Sequence, residues 1–282
     1  MIIRNKTLRK VGSVCYELFV IAFLIVFLLP VWWTISTAIK TIPEAYRMPP
    51  QWIPSKPTFY YFIKVFLSRP VFHWIWNSAL LAGGVTILCI FIGLLCAYSL
   101  TRFRFRGSDK MSFMLIATRF IPPMSLTVPI FMMMKSLGIY DSLLSVIIVL
   151  TYLNLPFTVW LLKAFLSTAP WALEEMGMID GCSRMGAFIR IVLPVISPGI
   201  LATTIITWLG CWNEFYWPLV LTKSREAQVI GLGIYDFMGD AMTYINELCG
   251  GGLIMCIPSF IFCFIASKYI VAGLTKGALK GL

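Results

Sequence analysis

Residues 167–194 read STAPWALEEMGMIDGCSRMGAFIRIVLP. Pro170 suits the first turn of a helix, where its missing N–H has no intrahelical partner to lose. Glu174 and Glu175 follow near a helix start, where the macrodipole favours negative charge. Asp180-Gly181 breaks the helical pattern. Ser183 is positioned to cap a second short helix, whose Met185, Phe188, Ile189 and Val192 recur at helical spacing as an apolar stripe. Pro194 marks the return into an apolar run. The stretch therefore reads as an amphipathic helix–turn–helix between two apolar segments. Physics alone leaves two readings open: a helix lying in a membrane interface, or one docking into a groove on a cytoplasmic partner.

The flanks set the class of protein. A membrane-spanning helix needs about 20 apolar residues. Residues 142–166 and 194–221 qualify, as do 14–35, 74–100, 112–134 and 250–272. The expectation is an all-α, polytopic membrane protein with about six transmembrane helices forming one domain over 1–282. Composition agrees: 59% of the 282 residues are hydrophobic and 12% charged, with mean hydropathy +0.86. Soluble domains run at roughly 45–50% apolar and about 25% charged, so a water-soluble globule is excluded. Arg119 and Pro122-Pro123 interrupt 112–134, where a kink or break is expected.

The net charge of +11 does not imply nucleic acid, because the basic residues are scattered among apolar runs and form no continuous face. It fits positive cytoplasmic loops. With the N-terminus inside, fourteen Lys and Arg fall in inner segments and eight in outer ones, with Arg119 within a span, accounting for all 23. The loop Thr101–Lys110, with Arg102, Arg104, Arg106 and Lys110, is the strongest single contribution. Both termini are thus expected in the cytoplasm. The basic start runs into apolar sequence without a small-residue cleavage site, so the first span is read as retained. The outer segments 36–73 and 222–249 are expected either to contact an external partner or to cap the outer mouth.

No pair among the eight cysteines has CxxC spacing, and His73 is the only histidine, which argues against a metal site or disulfide framework. His73 itself reads as a polar residue at the outer membrane edge. Cys249, Cys256 and Cys263 share one helix face and read as small apolar packing. Neither a G-x-x-x-x-G-K-[ST] phosphate loop nor a credible catalytic triad is present, so no catalytic residue is assigned. Gly250-Gly251-Gly252 and Gly231-Leu232-Gly233 read as loop flexibility. Charges in hydrocarbon are costly and should face the bundle interior or a wet cavity. Glu17 reads as snorkelling or pairing with Lys10. Arg119 reads equally as lining a solute pathway or as pairing with a carboxylate, and Glu214, with Asn213 and Trp217 beside it, reads either as lining that pathway or as part of an interfacial aromatic cluster. Asn154 next to Pro156 either lines the pathway or joins helices, and joining helices is the preferred reading.

The helix–turn–helix resembles the signature of permease subunits of binding-protein-dependent ABC importers: E-x-x-x-x-x-G, nine residues, then I-x-L-P. It falls here on Glu175, Gly181, Ile191, Leu193 and Pro194. The I-D-G of the carbohydrate-uptake branch is met by Ile179, Asp180 and Gly181. Met176 and Gly177 stand where the family has two alanines, and Cys182 where it has another. Trp76-Asn77-Ser78 resembles the family's N-S start, and Ala97–Phe105 its A-Y-x-L-x-R-F-x-F exit. Pro129-Ile130 with Leu137–Asp141 is similar to its third-span end, and Trp212–Phe215 with Pro218-Leu219 to its W-N-[DE]-F-x-x-P-L. Lys268–Ala278 resembles the C-terminal pattern of the smaller maltose permease subunit and its relatives.

The resemblance implies the type I importer fold and a prokaryotic inner or plasma membrane location. It implies a second homologous permease subunit, two ATPase subunits or a homodimer of one, and an extracytoplasmic solute-binding protein, with lipid around and no nucleic acid. It implies no cofactor in this chain, with ATP and Mg in the ATPase subunits, and no enzymatic activity of its own. Helices 170–192 would couple to the ATPase through Glu175, Asp180, Gly181, Ser183, Ile191, Leu193 and Pro194, and Thr275–Leu282 would touch it as well. The solute implied is a sugar or oligosaccharide. Glycerol-3-phosphate is the alternative within the family, and a stand-alone channel or secondary transporter is the alternative outside it.

Overall fold

The computed structural model describes residues 3–103, 105–235 and 244–278. The described residues are helical with no strand. The helices in chain order are α1 (Ile3–Ala38), α2 (Ile42–Ala45), α3 (Tyr60–Ser68), α4 (Val71–Arg102), α5 (Ser108–Ala117), α6 (Thr127–Ser136), α7 (Leu143–Thr168), α8 (Trp171–Ile179), α9 (Arg184–Ala187), α10 (Leu193–Trp212), α11 (Tyr216–Leu221), α12 (Ile230–Tyr235) and α13 (Ile245–Ala278). Five described segments are long and apolar enough to cross a membrane: Ser13–Ala38, Val71–Arg102, Leu143–Thr168, Arg184–Trp212 and Ile245–Ile265. A sixth exists only as a broken pair, Ser108–Phe120 and Pro123–Ser136, bent by 85°. The expected interruption at Arg119 and Pro122-Pro123 is therefore a sharp corner. The stretch expected over 194–221 stops at Trp212, and Asn213, Glu214 and Phe215 separate it from α11. The glycine runs read as loops are helical, Gly250–Gly252 within α13 and Gly231–Gly233 within α12.

The chain divides into two compact units, Met1–Pro70 with Ile234–Ile254, and Val71–Gly233 with Met255–Leu282. In the first, polar side chains pin the turn after α1. Asn246 Nδ2 donates to the carbonyls of Thr37 at 3.1 Å and Lys40 at 2.6 Å, and Ser36 Oγ donates to the Trp52 carbonyl at 2.7 Å. Lys40 is buried with its ammonium 4.1 Å from the centre of the Trp33 ring; burial lowers its pKa and Glu44 partly offsets this. Lys64 pairs with Glu247 at 2.5 Å. Segment 36–73 is thus an ordered structure with its own buried polar network.

In the second unit α4 packs mainly on α7, and α10 packs on both. Their shared core is Ala97, Tyr98, Leu100, Val159, Leu162, Leu166, Ala169, Phe188, Val192 and Ile196. Lipid supplies no hydrophobic force between helices, so close packing and short hydrogen bonds hold them. Thr158 Oγ1 of α7 lies 3.5 Å from Thr207 Oγ1 of α10, and Cys89 Sγ of α4 donates to Thr151 O of α7 at 3.7 Å. The start of α4 anchors the connection before α12. Asn77 Nδ2 donates to the Glu226 and Gln228 carbonyls at 2.7 and 2.8 Å, and Ser78 Oγ accepts from Ile230 N at 2.9 Å. His73 Nε2 lies 2.9 Å from the Glu226 carbonyl, so it has a fixed partner there. Asp141 adopts φ 62°, a conformation open to Asp and Asn. Its Oδ1 accepts from Lys223 N at 2.7 Å and Ser224 N at 2.8 Å.

Those N–H groups, Ser224 first and then Lys223, hold the Asp141 carboxyl below its ordinary value of 3.8. Its contribution to stability is fully present above the unfolded value and is lost as the pH falls through the lower folded value. Asp141→Asn keeps the left-handed backbone but removes the charge, and is expected to cost about 1 kcal/mol at pH 7. Thermal unfolding in detergent checks this: the gap between wild type and variant closes as the pH is taken below 3.8.

Candidate functional site

The helix–turn–helix lies between α7 and α10. Pro170 caps α8 in an extended conformation, and Asp180 closes it. Gly181 follows with φ +89°, which costs a glycine nothing and any β-carbon residue dearly. Ser183 Oγ then accepts from Gly186 N at 3.1 Å and caps α9. A π-helical turn, Phe188–Val192, leads directly into α10. This turn divides the expected apolar stripe: Phe188 and Val192 are buried, whereas Met185 and Ile189 are about half exposed.

The inner face of α8 is fixed by Glu174, which is fully buried. One carboxylate oxygen accepts from the Tyr98 hydroxyl. The other lies 3.0 Å from Arg102 Nε, close enough for an ion pair although misaligned for a hydrogen bond. Arg184 Nε is 3.9 Å away. Arg102 also donates from Nη2 to the Ala169 carbonyl at 3.1 Å, and its guanidinium sits 5.2 Å from the centre of the Trp171 ring. Tyr98 packs on Phe188 with ring centroids 4.4 Å apart. A buried carboxylate without partners would be prohibitive; here a phenol and two guanidiniums surround it. Sequence reading singled out Glu175 and passed over Glu174. The signal was present in the Tyr98 and Arg102 of the A-Y-x-L-x-R stretch, one turn apart on α4 and therefore on one face.

Glu175 faces outward and accepts from Trp171 Nε1 at 2.5 Å. Ile179 is 83% exposed and Met176 54%. Asp180, Gly181 and Ser183 are exposed, Pro194 is exposed at the start of α10, and Leu193 is half-buried. Leu193 packs against the core of the unit, whereas Glu175, Met176, Ile179, Asp180, Gly181 and Ser183 make up the exposed face of the helix–turn–helix. Gly177 does not share it. It is buried, and a β-carbon there would meet Ile191 Cδ1 at 2.3 Å and Ala187 Cβ at 3.4 Å. Gly177 thus sits directly against the Ile191 side chain.

The other candidate residues do not converge. Arg119 is exposed at the corner of the bent pair; its Nη1 donates to the Leu153 carbonyl at 2.8 Å and its guanidinium sits 5.5 Å from the centre of the Phe157 ring. Asn154 Nδ2 donates to Leu150 O at 2.8 Å and lies 3.9 Å from Cys211 Sγ on α10, consistent with joining helices. Asn213 is exposed and donates to Leu209 O at 3.0 Å. Glu214 Oε1 accepts from Tyr216 N at 2.9 Å and Trp217 N at 3.2 Å, so this carboxylate caps α11. Trp217 is 2% exposed, with its ring inside the unit. Glu17 accepts from Ser13 Oγ at 3.1 Å; the Lys10 side chain lies outside the described residues. So do the side chains of Lys268–Ala278 and all of residues 279–282, which carry the C-terminal expectation.

The model of the family "binding-protein-dependent transport system inner membrane component" matches residues 89–276. The chain is 30% identical to the sulfoquinovosyl glycerol transport system permease protein of Agrobacterium fabrum, over 90% of this chain and 89% of that protein. It is 30% identical to the trehalose/maltose transport system permease protein of Thermococcus litoralis, over 91% and 93%. It is 28% identical to the diacetylchitobiose uptake system permease protein of Streptomyces coelicolor, over 89% and 91%. In fold it is similar to a chain of a bacterial ABC transporter involved in the import of the acidic polysaccharide alginate, with TM-score 0.79 at 16% identity, covering 92% of this chain and 96% of that one.

Removing one member of a buried ion pair leaves the other uncompensated, at about 3–5 kcal/mol. Glu174→Ala and Arg102→Ala should each destabilise by that order, and the double variant should cost well under the sum. Glu175→Ala should stay within about 0.5 kcal/mol of wild type. Denaturant unfolding in detergent measures all four. Gly177→Ala should cost under about 1 kcal/mol, because the clash falls on Ile191 Cδ1, the free end of that side chain, and alanine favours the helix. Ile191→Val, which removes Cδ1, should recover most of that loss in the double variant.

Proposed function

The chain belongs to the binding-protein-dependent transport system inner membrane component family, and from that premise we propose how it works as the permease subunit of an ABC importer for a sugar or oligosaccharide. It is a multi-pass inner-membrane protein, and the Lys and Arg count supports cytoplasmic termini. Relatives named for sulfoquinovosyl glycerol, diacetylchitobiose and trehalose or maltose support a glycoside as solute. The chain forms the translocation pathway with a second, related permease. A solute-binding protein delivers the solute from outside. Two ATPase subunits bind on the cytoplasmic side and carry the ATP and Mg. This chain then contributes mechanics and a pathway, with no catalytic group.

One observation carries the reading: α8 and α9 present an outward face while their inner face is locked to the bundle by Glu174. A segment meant only to connect spans would need neither a buried carboxylate nor an exposed Ile179. The face seats in a cleft of the ATPase subunit, with Glu175, Asp180 and Met176 outermost. When the ATPase pair closes on ATP, the helix pair moves as a rigid body and reorients α4, α7 and α10 to open the pathway outward. Among the pathway candidates, Arg119 and Asn213 have exposed side chains and are the better placed to meet solute. Asn154, Glu214 and Trp217 act instead in helix joining, capping and packing.

Co-purification with the ATPase subunit tests the reading. Glu175→Arg reverses the outermost charge. Gly181→Pro forbids the φ of +89° the turn needs. Both variants should insert normally yet lose ATPase association or transport-coupled ATP hydrolysis, by about tenfold or more. Normal coupling in both would overturn the assignment.

A further inference from the structure

Arg184 opens α9 with its guanidinium near two aromatic rings, 4.8 Å from the centre of Phe103 and 5.5 Å from that of Trp171. Its side chain is 41% exposed. Arg102 takes the Glu174 carboxylate at 3.0 Å and the Ala169 carbonyl at 3.1 Å, so that guanidinium is committed. Arg184 stands 3.9 Å from Glu174 and makes no hydrogen bond among the described residues. Two guanidiniums and one carboxylate leave one surplus positive charge. Thr101, Arg102, Trp171 and Arg184 line a cavity of about 440 Å³ beside it.

A guanidinium carries its N–H donors in its own plane, in a fork matched to a carboxylate. Held against two rings, Arg184 has less rotamer freedom to lose on binding, and its N–H donors are available to a bidentate acceptor. The geometry points to this cavity as the receptor for an aspartate or glutamate side chain of the ATPase subunit. A single carboxylate neutralises the surplus charge one for one, whereas a doubly charged phosphate would overcompensate it. The cavity is walled by Trp171, which belongs to the same helix as the outward face of α8, and the inference rests on that face being the ATPase seat. Glu175 and Arg184 then form a two-point key of opposite charge, one point pushed into the partner and one receiving from it. Such a pair fixes the partner's register as a single contact does not.

The test uses the whole complex, with both permeases and the ATPase subunits, and Arg184→Lys in this chain. A water-soluble carbodiimide condenses an ammonium with a carboxylate in contact with it into an amide. Arg184→Lys should give a cross-linked product between the two subunits, mapped by mass spectrometry to one acidic residue of the ATPase, and Arg184→Gln should give none. The salt concentration that releases half of the ATPase should fall at least twofold in Arg184→Gln and by less in Arg184→Lys. A benzophenone amino acid placed at Met176 reports the seat independently. Labelling of the ATPase from that position, with no product from Arg184→Lys or only one to Glu174 of the same chain, overturns the receptor cavity and leaves the docking reading standing. No labelling from position 176 overturns the docking reading and the cavity with it.

Discussion

A carboxylate with no exposed surface holds the inner end of this bundle together. Moving Glu174 out of water carries a penalty of several kcal/mol even after relaxation. The chain offsets it with the Tyr98 hydroxyl, the Arg102 guanidinium at 3.0 Å and the more distant Arg184. Each partner is itself restrained: Tyr98 by Phe188, Arg102 by Trp171 and the Ala169 carbonyl, Arg184 by Phe103 and Trp171. The arrangement adds little net stability over an apolar core of the same volume. What it adds is uniqueness, because any other phase of α8 would part Glu174 from Tyr98 and Arg102.

The sequence motifs that carry the family likeness turn out to be latches. Asn77 and Ser78 satisfy three backbone groups of the chain before and at the start of α12. Asp141 closes the Lys223-Ser224 turn. Glu214 caps α11. Tyr98 and Arg102 hold Glu174. In hydrocarbon an unsatisfied backbone group costs several kcal/mol, so wherever a helix stops near the membrane a polar side chain has to be supplied. That explains why polar residues in so apolar a chain cluster at helix ends and recur as short patterns.

Much of this was legible in advance. The apolar runs overlap the helices long enough to span, although the run over 194–221 ends nine residues early, at Trp212, and the break at Asp180-Gly181 marks the turn, because Gly181 signals a positive φ directly. Other features were not. Glu174 and Glu175 are adjacent identical residues, and only their phase relative to α4 decides which is buried. Trp217 and Glu214 looked like a polar-aromatic solute surface. Indole and carboxylate serve packing and capping equally well, and composition does not separate those uses. The 85° corner at Arg119 was legible as an interruption, but its angle depends on what packs against it. Gly250–Gly252 are helical because the surrounding apolar run outweighs the roughly 1 kcal/mol disfavour of each glycine in a helix.

The latch at Glu174 also bears on how a push on the helix–turn–helix would pass to the bundle under the proposed function. A hairpin tied to its neighbours only through the chain, at Ala169 to α7 and at Leu193 to α10, has two attachment points and is free to pivot about the line joining them. A push on its outer face would then be lost as rotation. The Tyr98–Glu174–Arg102 contact supplies a third attachment, to α4. It opposes that pivot and ties the hairpin to α4 as well as to α7 and α10. The π-helical turn at Phe188–Val192 completes the joint by making α9 continuous with α10 instead of leaving a loop between them. Any displacement of Glu175 and its outward neighbours must then be carried by the helices themselves, which is the mechanical condition for a transporter driven from one side of the membrane.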